Sequence, residues 1–214
     1  MGAKSLLILG AGSFALETLD IAESASGFEP LGFVNSLEQP PPGTTHAGLT
    51  VFGVDQVPYK PEDCFLANGM VSTKRRGFIE TMSARGYRFI SIIHPSAVIS
   101  RRARIGDGCV IHAGVIVASN TTIEPHVVLN RGCLIGHDNL TRSFCTIGPG
   151  ANVAGGVEIG AGAYIGVGAV IRDHLAIGEG SVVGAGAVVV KPVPANVLVT
   201  GLPARVVQTG VKGL

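Results

Sequence analysis

Charge is scarce in this chain. Asp, Glu, Lys and Arg make up 14% of its 214 residues, against roughly a quarter in an average soluble protein. Basic residues number 16 and acidic residues 15, so there is no surplus of positive charge with which to hold nucleic acid by its phosphates. Long hydrophobic runs are also missing. Mean hydropathy is +0.44, yet no apolar stretch approaches the ~18–20 residues that a membrane-spanning helix needs. The run Leu6-Leu7-Ile8-Leu9 stops at Gly10, too soon for the core of a signal peptide. These absences lead us to expect a cytoplasmic protein with no nucleic-acid partner and no membrane span. Cysteine is sparse and unpatterned: Cys64, Cys109, Cys133 and Cys145 form no CxxC pair. The usual signature of a zinc knuckle or a thioredoxin-type site is therefore lacking, and the four read as small buried hydrophobes.

Glycine is what the chain has in excess, at 31 residues, and 46% of the residues are hydrophobic. That is enough apolar material to bury a core, and its arrangement is periodic. From Ile99 every sixth residue is aliphatic through Val183, with Thr141 the one exception. Four residues after the aliphatic stands a mostly small one, such as Ala103, Cys109, Thr121, Cys133, Cys145, Ala151 or Ala163. A period of six is neither helical nor that of a long amphipathic strand; it is the hexapeptide repeat of a parallel β-helix. Three hexads close one triangular coil, so residues 18 apart lie above one another on the same side of the prism. The first ninety residues lack this period. They read as alternating strands (4–9, 30–34, 49–54, 64–67, 88–93) and helices (13–24, 73–85), a small parallel α/β unit. The expected division is 1–94 for an α/β nucleotide-sugar-binding domain of Rossmann-like type, 95–200 for the β-helix and 201–214 for a closing loop and tail.

Within the first unit, Gly10-x-Gly12-x-x-Ala15 follows a strand and opens a helix, as in a dinucleotide fingerprint. Asn35 and Ser36 stand where that fingerprint needs an acid to hold a ribose, so NAD is not expected. Two readings of Gly10, Gly12 and Ser13 stay open: contact with another nucleotide's phosphates, or a tight strand–helix turn that only glycine permits. Lys74-Arg75-Arg76 follows Ser72-Thr73 at a helix start, a geometry that favours anions. His112, His126 and His137 are 14 and 11 residues apart, off the 18-residue stacking, so no zinc site is expected. His137 lies two residues after its aliphatic and should point outward. Its neighbour one coil up is Gly155.

The Gly-x-Gly unit, the His-Pro-Ser-Ala-Val junction at 94–98, the hexads and the closing Gly201-Leu202-Pro203-Ala204-Arg205 occur together. The combination resembles the sialic-acid O-acetyltransferase-like sugar acyltransferases, over essentially the whole chain. The resemblance implies a left-handed β-helix, a homotrimer, acetyl-CoA bound between neighbouring helices, no metal, and a nucleotide-linked amino sugar as acceptor. The family motif falls on Ile135-Gly136-His137-Asp138. It implies His137 as general base, Asp138 as its orienter, Gly155 as amide donor to the oxyanion and Asn130 as a polar active-site group. CoA contacts are implied at Gly155, Val167 and Ala185, the last two stacked 18 apart above Pro149, with Arg205 toward a phosphate. Gly10, Gly12, Ser13, Asn35, Ser36, Thr73 and Lys74 are the expected contacts of the nucleotide sugar. Two positions depart from part of the family: Thr146 stands where some members have a second histidine, and Gly12-Ser13-Phe14 where many have Gly-Gly-His. The expected activity is N-acetylation of an amino-dideoxy sugar. O-acetylation of a sialic-acid-type sugar and non-catalytic nucleotide-sugar binding are the alternatives.

Overall fold

A computed structural model describes residues 2–35 and 40–214. The N-terminal unit is built on β1 (Lys4–Leu9), α1 (Ser13–Ser24), β2 (Phe28–Asn35), β3 (Thr45–His46), β4 (Leu49–Gly53), β5 (Phe65–Asn68), α2 (Arg76–Ala84) and β6 (Arg88–Phe89). The run Leu6 to Leu9 is fully buried, as a central strand covered on both sides must be. It pairs in parallel with β2 and β5, giving the sheet order β3-β4-β2-β1-β5-β6. Gly10 closes β1 at φ +103°, and a Cβ there would lie 2.9 Å from Met70 Cγ, so this turn admits only glycine.

Two expected elements differ. The helix expected over 73–85 begins as a 3-10 turn, Thr73–Arg75. The strand expected over 88–93 breaks in two, because the Ser91 hydroxyl accepts from Cys109 N at 3.0 Å and donates to Gly106 O at 2.7 Å. Ile92–Ile93 has by then left the sheet and stacks on Val110–Ile111.

From there the chain is a parallel β-solenoid. Each hexad gives a two-residue strand whose second residue is the periodic aliphatic, turned inward and buried from Ile111 to Val183. Val110 pairs with Val128 and Ile116 with Leu134, 18 residues apart each time. Cys109, Cys133 and Cys145 fill the narrow inward position and are free thiols. Burial pushes Cys109 up to about 11 and Cys133 and Cys145 to about 12.

The outward residues make the three faces unequal. On one, Ile92, Val110 and Val128 pack against Leu6, Ile21, Ala22 and Ala67 of the N-terminal unit. On the second, Val98, Ile116, Leu134 and Val170 stand exposed, Val98 at 62% and Ile116 at 44%. The third carries Arg104, Thr122, Leu140, Glu158 and Ala176. We call them the covered, apolar and polar faces.

The covered face is bolted by Arg75, which corrects the anion-binding role expected of the 74–76 run for that residue. Its side chain is 2% exposed. Its guanidinium donates to Ser72 O, Thr146 Oγ1, His126 O and Cys145 O at 2.8–2.9 Å and to Phe144 O at 3.1 Å. Burial lowers it to about 10, so it stays charged at neutral pH. Thr146 is buried in this joint and donates to Val71 O at 2.8 Å. The segment 201–214, expected as loop and tail, contains a strand: Ala204–Thr209 pairs antiparallel with Val197–Gly201, itself stacked on Val182–Val183. The hairpin satisfies the edge that the last coil would leave bare.

Candidate active site

His137 and Asp138 sit at the corner between the apolar and polar faces, on the turn after Leu134–Ile135. The turn is pinned from inside by Asn139, a buried amide at the narrow inward position. Its Nδ2 donates to Gly136 O and Ala154 O at 2.9 Å, and its Oδ1 accepts from Val157 N. Asp138 takes φ +56°, in a column of left-handed residues with Asn120, Gly156 and His174. Asn, Asp, Gly and His are the residue types that tolerate this conformation best.

The column positions the chemistry. His137 Nδ1 meets Asp138 Oδ2 at 2.7 Å, and Asn120 Nδ2 donates to Asp138 Oδ1 at 3.1 Å. The hydrogen bond from His137, then that from Asn120, holds the Asp138 carboxyl below the usual carboxylate range. With the carboxylate ionised, the shared proton belongs on Nδ1, and Nε2 is left as an outward-facing base. Gly155 lies against the ring: a Cβ there would come within 2.6 Å of both Nε2 and Cε1. Among the described residues, the Gly155 N–H has no hydrogen-bond partner. Gly155→Ala should therefore turn the imidazole without unfolding the coil. A displacement of about 1 Å costs about 10²-fold in rate. We expect that loss in kcat with an unchanged melting temperature, read by steady-state kinetics and calorimetry.

Asn120 was missed in the sequence, and His174 joins it in the same column. Asn120 is one coil below Asp138, and His174 lies over Gly156, where a Cβ would approach its Nδ1 to 2.5 Å. The same 18-residue step that leads from His137 to Gly155 reaches both.

Other expected residues lie elsewhere. Asn130 is 5% exposed, at the corner between the covered and apolar faces, with its Oδ1 accepting from Arg131 N at 2.8 Å. Pro149, Val167 and Ala185 rise along that same corner, with Val167 53% exposed. Arg205 pairs across the closing hairpin with Thr200, which packs on Gly184 at the head of this column. Within one chain, then, Val167, Ala185 and Asn130 are separated from His137 and Gly155 by the width of the apolar face. Gly10 and Asn35 stand at the carboxyl ends of β1 and β2 and Ser13 opens α1, whereas Lys74, in the 3-10 turn beyond β5, lines cavities with Phe144 and with Met70 and Phe78. A Cβ on Gly12, the residue before α1, would meet nothing within 4 Å. Thr73 is engaged by Leu214, whose O accepts from Thr73 N at 2.9 Å and whose N donates to Thr73 Oγ1 at 2.9 Å. Ser36 lies outside the described residues. Among the described residues no three His, Cys, Asp or Glu groups are placed to hold a metal, and no helix is long and apolar enough to cross a membrane.

No protein-family profile matches the chain. Among curated proteins, the GDP-perosamine N-acetyltransferase of Escherichia coli O157:H7 is 33% identical over 162 residues, 71% of each chain. Among solved structures, a His-to-Asn variant of perosamine N-acetyltransferase from Caulobacter crescentus, in complex with CoA and GDP-perosamine, gives a TM-score of 0.87 at 28% identity. That match covers 95% of this chain and 97% of the other. The acetyltransferase domain of PglB from Neisseria gonorrhoeae FA1090, in complex with acetyl coenzyme A, gives 0.88 at 29% identity, over 96% and 100%. These likenesses run across both the α/β unit and the solenoid, and the chain belongs to the perosamine- and bacillosamine-type sugar N-acetyltransferases of the hexapeptide-repeat family.

Proposed function

We propose that this protein transfers the acetyl group of acetyl-CoA to the amino group of a nucleotide-linked amino-dideoxy sugar. The observation that carries the reading is the His137–Asp138 pair held against Gly155. The sugar amine, uncharged, attacks the thioester carbonyl and forms the C–N bond. His137 Nε2 takes the proton that the nitrogen sheds. The Gly155 N–H donates to the oxyanion, a contact typically worth ~3–4 kcal/mol in the transition state. The C–S bond then breaks, and CoA leaves with a proton that His137 can return.

The nucleotide is assigned to the N-terminal unit, read as Rossmann-like. Chain order reverses at β1, between β2 and β5, and ligands of open α/β sheets bind outside the carboxyl ends of the strands at such a point. Gly10 is explained by packing. Gly12 is not, since open space surrounds it, and a phosphate approaching the start of α1 accounts for it.

The active protein is a homotrimer in this reading. Three prisms that turn their exposed apolar faces toward a common axis bury those faces. They also bring the Pro149–Val167–Ala185 corner of one copy to the His137 corner of the next, which closes the gap seen within a single chain. The small and apolar column suits a pantetheine arm, with Arg205 at its head for a phosphate. Ala185→Trp should raise the KM for acetyl-CoA at least tenfold, roughly 1.4 kcal/mol, with the affinity for nucleotide sugar unchanged. Unchanged kinetics would move the groove to another face.

The whole reading is tested by thiol release from acetyl-CoA against a panel of nucleotide-linked amino sugars and a sialic-acid-type sugar. Thiol release that depends on an amine acceptor is expected. Release only with the hydroxyl acceptor would make the protein an O-acetyltransferase, and binding without release a sugar-nucleotide sensor.

A further inference from the structure

The turn that carries His137 is held from the coil below by three consecutive residues. Ser119 O accepts from Asp138 N at 3.0 Å. Thr121 is buried at the narrow inward position. Its hydroxyl donates to Gly136 O at 2.7 Å and accepts from Asn139 N at 3.3 Å. Between these two, Asn120 turns outward, and its Nδ2 donates to Asp138 Oδ1 at 3.1 Å. Ser119 and Thr121 thus fix the backbone of residues 136–139, while Asn120 reaches the carboxylate itself.

That carboxylate needs a second partner. The Asp138 side chain is 56% exposed, so packing does not fix its rotation, and the torsion about Cβ–Cγ of an aspartate is broad. The bond from Oδ2 to His137 leaves the plane free to swing. A second bond on Oδ1 sets it. The backbone narrows what can supply that bond: position 120 has φ +60°, which Asn, Asp and Gly tolerate best. Of these, Gly offers no side chain and Asp would set a second carboxylate against the first. Asn brings an uncharged donor. The charged and titratable groups around Asp138 are His137 beside it and His174 two coils up. Asp173, with Arg172 and His174 each at 3.8 Å, stands next to the latter, and Arg102 lies one coil below Asn120.

We infer that Asn120 is a positioning residue for the acetyl transfer: by bonding Oδ1 it sets the plane of the Asp138 carboxylate, keeps Oδ2 on His137 Nδ1 and holds Nε2 against Gly155 as the free base. This rests on the function proposed above, but its first readout needs no turnover. In protein carrying 15N-labelled histidine, the neutral His137 ring should be the Nδ1–H form in the wild type. Asn120→Gly, which keeps the left-handed turn and removes the amide, should give a mixture of both tautomers. It should also lower kcat about tenfold through lost orientation, with both KM values and the melting temperature unchanged. Asn120→Asp keeps the shape and adds a negative charge, which favours the imidazolium. The acid limb of its kcat/KM profile should therefore move up by about one pH unit, a change that a merely structural residue would not produce. A wild-type tautomer in Asn120→Gly together with an unmoved acid limb in Asn120→Asp would overturn the assignment, whatever happened to kcat. So would a loss of activity that only followed a loss of melting temperature. A tautomer change in a protein that releases no thiol would keep Asn120 as the residue that orients the pair and remove the acetyl transfer. Thiol release with the tautomer unaltered would do the reverse.

Discussion

His137→Ala is expected to lower kcat by about 10²–10⁴-fold, the usual worth of a positioned general base. The KM values for both substrates should stay close to those of the parent, because the lost interaction is made only in the transition state. The side chain is exposed at 66% and supports no packing, so the variant should melt with the parent. Its residual activity should rise with pH, as more of the acceptor amine loses its own proton. A hydroxyl acceptor, which depends more on the base, would leave almost none. Asp138→Asn should lose part of the same activity, since an amide no longer selects the Nδ1–H form. Wild-type kcat in His137→Ala would remove proton abstraction by this residue from the mechanism.

The largest effect on stability is expected at Arg75. Truncation to alanine leaves the carbonyls of Ser72, His126, Phe144 and Cys145 and the Thr146 hydroxyl without their shared donor. Hydrogen bonds to a charged group are worth about 1.5–3 kcal/mol each and do not add in full, so we expect a loss of about 3–5 kcal/mol, read by urea unfolding. Arg75→Lys should rescue little, because one ammonium cannot span acceptors that a planar guanidinium reaches at once. A loss under 1 kcal/mol for Arg75→Ala would show that the covered face holds the N-terminal unit by apolar contact alone.

Arg75 also marks where the sequence stops being readable. The solenoid repeats one local rule, so each aliphatic from Ile111 to Val183 declares its own burial, and each column is found by adding 18. By that rule alone Gly155 falls over His137. Arg75 obeys no repeat. It stands in a basic run beside Lys74 and Arg76 with the look of a solvated or anion-binding edge, and only the docking of α2 on the solenoid makes it a buried bolt. Glu17 and His112 are similar: 95 residues separate them, and no pattern in either segment announces that their side chains meet. The column rule has a limit of its own. It says which residues share a corner but not which corners meet, so it leaves open how Val167 and Ala185, which lie across the apolar face from His137, come to serve the same site. The closing hairpin was hidden because Ala204–Thr209 has neither the period of six nor a strand partner that the hexads supply.

The claim on which the account turns is that the active site is shared between copies, His137 and Gly155 from one and the Pro149–Val167–Ala185 corner from the next. It is tested by mixing His137→Ala and Ala185→Trp chains in equal amounts, through co-expression, and assaying at acetyl-CoA well below its KM. In randomly assembled trimers, about a quarter of the sites join an intact His137 to an intact column, so the mixture should recover about a quarter of wild-type activity, more than either parent. A mixture no more active than the average of the two parents would contradict the account and return both halves of the site to a single chain.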